Sequence, residues 1–144
     1  KETWAPLFRE RTAAILDAAP GTRAMRDPTR GGLAAVLNEI AQASRVGITI
    51  REDDLPVQPG AAGACESLGL DPLYVANEGK LVAFVPPDQA EAALAAMRAH
   101  PLGADAAILG TVTDDPDCFV EMETAFGGRR MVDWIAGEQL PRIC

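Results

Sequence analysis

Aromatic residues are scarce in this chain, at 5%, and basic residues are outnumbered, 13 Lys and Arg against 21 Asp and Glu. The first shortage leaves the core to Ala, Leu, Val and Ile. The second, a formal charge of −8, argues against a general nucleic-acid or anionic-membrane surface, because both select a basic patch. No apolar run approaches a membrane span, and the N-terminus lacks the pattern of a signal peptide. A soluble, cytoplasmic protein is the expectation. Histidine occurs once, at His100, and the three cysteines, Cys65, Cys118 and Cys144, form no CxxC pair. Neither a disulfide framework nor a closed zinc centre is expected, and no metal ligand is assigned.

What is present suits one globular domain. Hydrophobic residues make up 48% and charged residues 24% of 144, enough apolar surface for an ordinary core. A first helix, with Thr3 as its N-cap and Leu7, Ile15 and Leu16 on an apolar face, ends at Pro20-Gly21. A short strand over residues 23–25 leads through a loop to a second helix, in which Leu33, Val36, Leu37 and Ile40 recur at helical spacing. Residues 46–51 alternate as a strand; Pro59 opens a third helix that Gly69 closes. Residues 80–85 form a strand, and an alanine-rich helix runs from Pro86 to about His100. Residues 106–113, 118–124 and 129–134 complete a β meander, with Gly127-Gly128 at a hairpin turn. Helices alternating with strands before a meander indicate an α+β or α/β fold with helices packed on a mixed sheet.

Cys65 and Cys118 are expected at or near the core, Trp4 and Trp134 at its edges, and His100 as a helix-end cap. Glu52-Asp53-Asp54 reads as a solvated turn, and Arg129-Arg130 as the flank of a hairpin.

Three segments carry candidate chemistry. Residues 26–32 place Arg26, Asp27, Thr29 and Arg30 before Gly31-Gly32 at the start of a helix. Unpaired N–H groups and the helix dipole attract an anion there, glycine permits close approach, and arginine binds phosphate through two parallel hydrogen bonds. The competing account is a capped loop with an internal Asp27–Arg30 pair. The segment is neither a Walker loop nor GxGxxG. Asn77-Glu78-Gly79 puts a carboxylate before an apolar strand, where Glu78 is either a general base or a solvated turn residue. The third is Cys144, the last residue, ten beyond Trp134. At ~3.5 Å per extended residue such a thiol reaches roughly 30 Å, so it can act as a tethered carrier. Its neighbouring α-carboxylate disfavours the thiolate and Arg142 offsets this. An idle exposed thiol is the alternative.

Taken together, MRDPTRGGLAAVLNEIA (residues 25–41), LGLDPLYVANEGKLV (residues 68–82) and EQLPRIC (residues 138–144) resemble the C-terminal domain of the HypE hydrogenase maturation factors. AILGTV and FGGRR fit as well, so the resemblance covers nearly the whole chain from Arg23. These carbamoyl dehydratases belong with the aminoimidazole-ribonucleotide and selenophosphate synthetases. The resemblance implies a layered α/β/α domain of the α+β class, with a mixed sheet and a partly ferredoxin-like topology, over residues 1–134. Residues 135–144 become a tail carrying the reactive cysteine. An N-terminal domain, supplying much of the ATP and Mg2+ site and the dimer interface, is then absent from this chain.

By the same resemblance, Cys144 receives a carbamoyl group from the carbamoyltransferase HypF. ATP-dependent dehydration converts the S-carboxamide to a thiocyanate, and the cyanide passes to iron on the HypC–HypD complex for [NiFe]-hydrogenase. Arg26, Asp27, Thr29, Arg30, Gly31 and Gly32 would cradle the ATP phosphates, while Glu78 acts as base with Asn77 orienting it. The whole protein is expected to be a homodimer, the isolated fragment inactive and its oligomeric state open. Two other accounts remain. One is a non-catalytic nucleotide- or partner-binding module with an incidental thiol. The other is a redox protein using Cys144, which lacks a resolving cysteine nearby in sequence.

Overall fold

A computed structural model describes residues 5–134, with side-chain surroundings from residue 9 onward. The expected Thr3 cap, Trp4, the Leu7 side chain and the tail with Cys144 lie outside the described residues. Ten regular elements follow in order: α1 (Ala5–Ala18), β1 (Ala24–Arg26), α2 (Gly32–Ser44), β2 (Gly47–Arg51), α3 (Pro59–Leu68), β3 (Val82–Phe84), α4 (Ala90–Ala99), β4 (Gly110–Thr113), β5 (Val120–Glu123) and β6 (Arg129–Met131). The chain is α+β with a mixed sheet, as expected. Its described residues divide into two compact units, one of residues 5–27 and 79–108, the other of residues 28–78 and 109–134.

In the first unit, β1 and β3 pair antiparallel, with Ala24 opposite Phe84 and Arg26 opposite Val82. Helices α1 and α4 pack on each other. Buried Ile15, Ala19 and Ala93 form the core, flanked by Met25, Leu81, Ala83, Val85 and Met97. Small alanines at these positions let the helices approach closely. Leu16 is 42% exposed; its neighbour Ile15 takes the inward position, and adjacent residues on a helix cannot share a face. α1 stops before Pro20 as expected, with Gly21 N–H donating to Gln89 Oε1 at 2.8 Å. His100 caps as expected: its Nδ1 accepts from Leu102 N–H at 3.2 Å, starting a 3-10 turn at Pro101–Gly103.

The second unit is built on a four-stranded sheet in the order β4-β2-β5-β6. β2 pairs antiparallel with β4 and parallel with β5; β5 and β6 form an antiparallel hairpin. The pleat sends Ile48, Ile50, Val120 and Met122 to one face, where all are buried and where α2 packs against β2 and β5. The opposite face carries Thr49, Thr111, Glu121 and Glu123. Buried Asn38 of α2 ties the helix to the end of the sheet. Its Nδ2 donates to Ala34 O at 2.9 Å and to Val132 O at 2.8 Å.

Several sequence expectations are corrected in detail. β4 begins at Gly110 rather than 106, because β2 ends at Arg51, whose N–H reaches Leu109 O, and the chain then turns into a 3-10 helix at Glu52–Asp54. Cys65 is half-buried on α3, a helix with no buried residue. Cys118 adopts a left-handed φ of 59° before β5 instead of starting it. Trp134 is 48% exposed.

Candidate functional site

The chain leaves the first unit between Asp27 and Pro28, so residues 26–32 are divided between the two units. In the first unit, Arg26 ends β1 and, like Asp27, is exposed. Both line an open depression of about 420 Å³ with Thr12, Met25 and Leu81. Arg11 Nη1 donates to Gly79 O at 3.2 Å, holding the turn that enters β3.

The second unit holds the rest of the loop. Gly31, at φ 64° and ψ 14°, precedes α2 in the left-handed conformation and supplies no side-chain cap. Thr29 is half-buried; Arg30 and Gly31 are exposed. A thirteen-residue helix thus begins without a side-chain cap from its N-cap residue, an arrangement suited to an anion. Gly32 continues at φ 65° and is buried. A β-carbon there would stand 2.4 Å from Leu73 O and 2.7 Å from Val75 O. Only glycine lets the helix start press against this backbone.

That backbone is the 3-10 turn Pro72–Tyr74, which leads directly to Asn77 and Glu78. Asn77 N–H donates to Pro28 O at 2.9 Å, and Asn77 Nδ2 donates to Val75 O at 2.9 Å. Asn77, and with it the adjoining Glu78, is therefore brought beside the glycine loop. Asn77 is half-buried and held at both its backbone and side chain, while Glu78 is exposed. Cys144 lies outside the described residues.

Sequence reading missed the support beneath this loop. Asp71 Oδ1 accepts from Leu73 N–H at 3.0 Å, capping the turn, and Asp71 Oδ2 accepts from Arg130 Nη2 at 2.6 Å. The Asp71-Pro72 pair carried a cap signal, but its partner 59 residues away on β6 left none. Tyr74 belongs to the same cluster. Its phenol ionises above the ordinary 10.0, chiefly because burial penalises the anion and secondarily because Asp71 repels it, while Arg130 and a backbone hydrogen bond from Asp133 pull the other way.

This shift has a sign. Unfolded chains lose the tyrosine proton from about pH 10, whereas the folded protein retains it. The folded state then binds more protons, so this group's contribution to stability is intact below pH 10 and declines as the pH rises above it. Tyr74→Phe is expected to flatten the fall in urea midpoint between pH 9 and pH 11. Superimposable declines for the two proteins would contradict the assignment.

Among the described residues, no group of three or more His, Cys, Asp or Glu side chains gathers as a metal centre. No described helix is long and apolar enough to cross a membrane.

Over residues 5–123 the chain matches the family described as AIR synthase related protein, C-terminal domain. It is 67% identical over 124 residues to carbamoyl dehydratase HypE of Bradyrhizobium diazoefficiens, covering 86% of this chain and 36% of that protein. The crystal structure of the hydrogenase maturation protein HypE in complex with ATP superposes with a TM-score of 0.83 at 41% identity, over 91% of this chain and 41% of that one. HypE from the crystal structure of a HypE–HypF complex matches with a TM-score of 0.81 at 44% identity, over 85% of this chain and 40% of that one. The chain spans little more than a third of the length of its curated relative.

Proposed function

The chain belongs to the family of AIR synthase related proteins, C-terminal domain, and from that premise we propose that it is the C-terminal part of a HypE-type carbamoyl dehydratase. The observation that carries this reading is the convergence of two segments far apart in sequence. Gly32 presses on the turn that presents Asn77 and Glu78, and Asn77 is hydrogen-bonded to the loop at Pro28. A phosphate-binding helix start and a carboxylate thereby share one small region of the second unit. The complex of a similar HypE protein with ATP supports assigning ATP to that region.

In this reading the Cys144 thiol first attacks the carbonyl carbon of a carbamoyl group, giving an S-carboxamide and releasing the donor's leaving group. The carbamoyltransferase HypF is the donor protein, in keeping with the HypE–HypF complex. The carboxamide oxygen then attacks the γ-phosphorus of ATP, and ADP departs. Phosphate is a far better leaving group than oxide, so the C–O bond can break as the nitrogen gives up its protons. The products are an S-bound thiocyanate, ADP and phosphate, a net loss of water from the carboxamide. The cyano group is destined for iron on a HypC–HypD complex for [NiFe]-hydrogenase; its release as cyanide, with Cys144 returned to a thiolate, takes two electrons from a reductant on the partner side.

Thr29, Arg30, Gly31 and Gly32 are assigned to the phosphates, by the electrostatics of a helix N-terminus and a guanidinium. Arg26 and Asp27 carry the same assignment from the sequence, as residues that enter the loop. Glu78 takes a proton from the carboxamide nitrogen, and the doubly held Asn77 fixes the backbone on which Glu78 stands. The whole protein is a cytoplasmic homodimer in this account. Because this chain covers 36% of its relative, most of the ATP site and any Mg2+ fall to the remainder, and the isolated chain should fold without turning over ATP. An ATPase assay on the chain alone tests this; full turnover would refute it.

Glu78→Gln in the full-length protein is expected to lower the rate of ATP-dependent dehydration by about 100-fold, the low end of general-base effects. The ATP KM should be unchanged, since glutamine preserves shape and Glu78 does not hold phosphate. An unaltered rate would return Glu78 to the status of a solvated turn residue.

A further inference from the structure

We propose that the Asp71–Arg130 ion pair is a positioning clamp, which sets the glycine loop and the Asn77–Glu78 segment in register for ATP without touching the nucleotide. The inference rests on the functional reading above and extends it to two residues outside the assigned site.

Three observations within the second unit lead to it. The first concerns how the pair differs from its neighbours. Arg129, the next residue on β6, meets Glu123 at 3.0 Å and Glu121 at 3.5 Å, with its side chain 63% exposed. Such pairs are water-screened and worth little. Arg130 meets Asp71 at 2.6 Å with side chains only 38% and 28% exposed, the short distance of a charge-assisted hydrogen bond. The second is the division of labour at Asp71. One oxygen grips β6 through Arg130, while the other caps the 72–74 turn through Leu73 N–H. A single carboxylate thus anchors the turn to the sheet.

The third is the absence of slack on the far side of that turn. Leu73 O and Val75 O lie so near Gly32 that not even a methyl group fits between them. Val75 O also accepts from Asn77 Nδ2, and Asn77 N–H reaches Pro28 O. Any shift of the turn therefore moves the first residue of α2 and the segment carrying Glu78 together. Positioning errors of this kind are costly, since ~1 Å of misplacement can lower a rate ~100-fold.

The test uses the full-length protein, with the Cys144 S-carboxamide as substrate and mass spectrometry to follow its ATP-dependent loss of water. Arg130→Gln and Asp71→Asn are each expected to raise the ATP KM about tenfold, part of the ~100-fold available to misplacement. Arg130→Lys, which keeps the charge, should recover most of that loss. The double variant Asp71→Asn/Arg130→Gln should be no worse than either single one, because the two residues act as a unit. Arg129→Gln removes an ion pair from the same strand and should leave KM and kcat at wild-type values. Wild-type KM in both Arg130→Gln and Asp71→Asn, or additive losses in the double variant, would overturn the clamp. An equal change in Arg129→Gln would do the same by reducing the effect to general loosening of β6. A wild-type protein that loses no water with ATP would instead overturn the functional reading on which the clamp depends.

Discussion

Replacing Cys144 with alanine in the full-length protein is expected to abolish both carbamoylation and cyanide production, leaving no detectable thiocyanate. The expectation is all-or-none because the proposed chemistry is covalent. Without the sulfur there is no atom to carry the carboxamide, and binding energy elsewhere cannot substitute for it. The other two thiols are poor replacements. Cys65 and Cys118 are both half-buried. The Cys118 sulfur lies 3.5 Å from Pro116 O, within a turn that its own left-handed backbone shapes. Cys65→Ala and Cys118→Ala should therefore leave the adduct on Cys144 intact. Hydrogenase activity in cells carrying each variant measures the consequence. Normal maturation with Cys144→Ala would favour the non-catalytic alternative, in which the thiol is incidental.

Gly32→Ala carries the largest expected effect on stability, about 2–5 kcal/mol. Two costs add. An L-residue held in the left-handed region loses ~1–2 kcal/mol, and at φ 65° alanine meets that cost. Forcing an extra methyl into filled space costs a further ~1–3 kcal/mol. Here it would meet backbone oxygens of Leu73 and Val75, which cannot rotate aside as a side chain does. Gly69 isolates the first cost, since its φ is 67° yet no atom lies within 4 Å of the position its β-carbon would take. Gly69→Ala should accordingly lose only ~1–2 kcal/mol. Urea denaturation of the two variants reads the difference directly. Equal losses would mean that the turn yields to the methyl group, and the tight coupling of loop and turn would be wrong. ATP affinity should fall in Gly32→Ala even under conditions where the protein remains folded.

Both results bear on what the sequence could disclose. Local features were legible because local chemistry determines them. Pro59 opens α3 and Gly69 closes it in the left-handed conformation, as the Pro-first, Gly-last asymmetry requires. His100 caps the following turn with its own ring nitrogen. The Gly31-Gly32 pair marked a helix start, and α2 begins there. Strand lengths were less legible, since a strand extends only as far as its neighbour offers partners; β4 cannot reach back to residue 106 because β2 gives way to a 3-10 turn after Arg51. The division into two units left no linker in the sequence, because the chain passes between them through ordinary short loops.

The site was legible in part for the same reason. The loop and Asn77-Glu78 each carry a recognisable local pattern, but nothing in either says that they meet. Their meeting depends on Gly32 lacking a β-carbon and on a hydrogen bond between residues 28 and 77. Arg130 looked like an ordinary hairpin charge, and its neighbour Arg129 is one. Only the fold distinguishes them, by bringing Asp71 to one and leaving the other on the polar face of the sheet with Glu121 and Glu123.

The central claim is that Cys144 carries a carboxamide which ATP converts to a thiocyanate. Mass spectrometry of the peptide containing Cys144 tests it most directly, using the full-length protein and its carbamoyl donor system with and without ATP. A carboxamide adduct that forms from the donor, persists without ATP and loses the elements of water when ATP is added is the predicted result. An unmodified Cys144, with the donor shown to be competent on a control protein, or an adduct indifferent to ATP, would contradict the account.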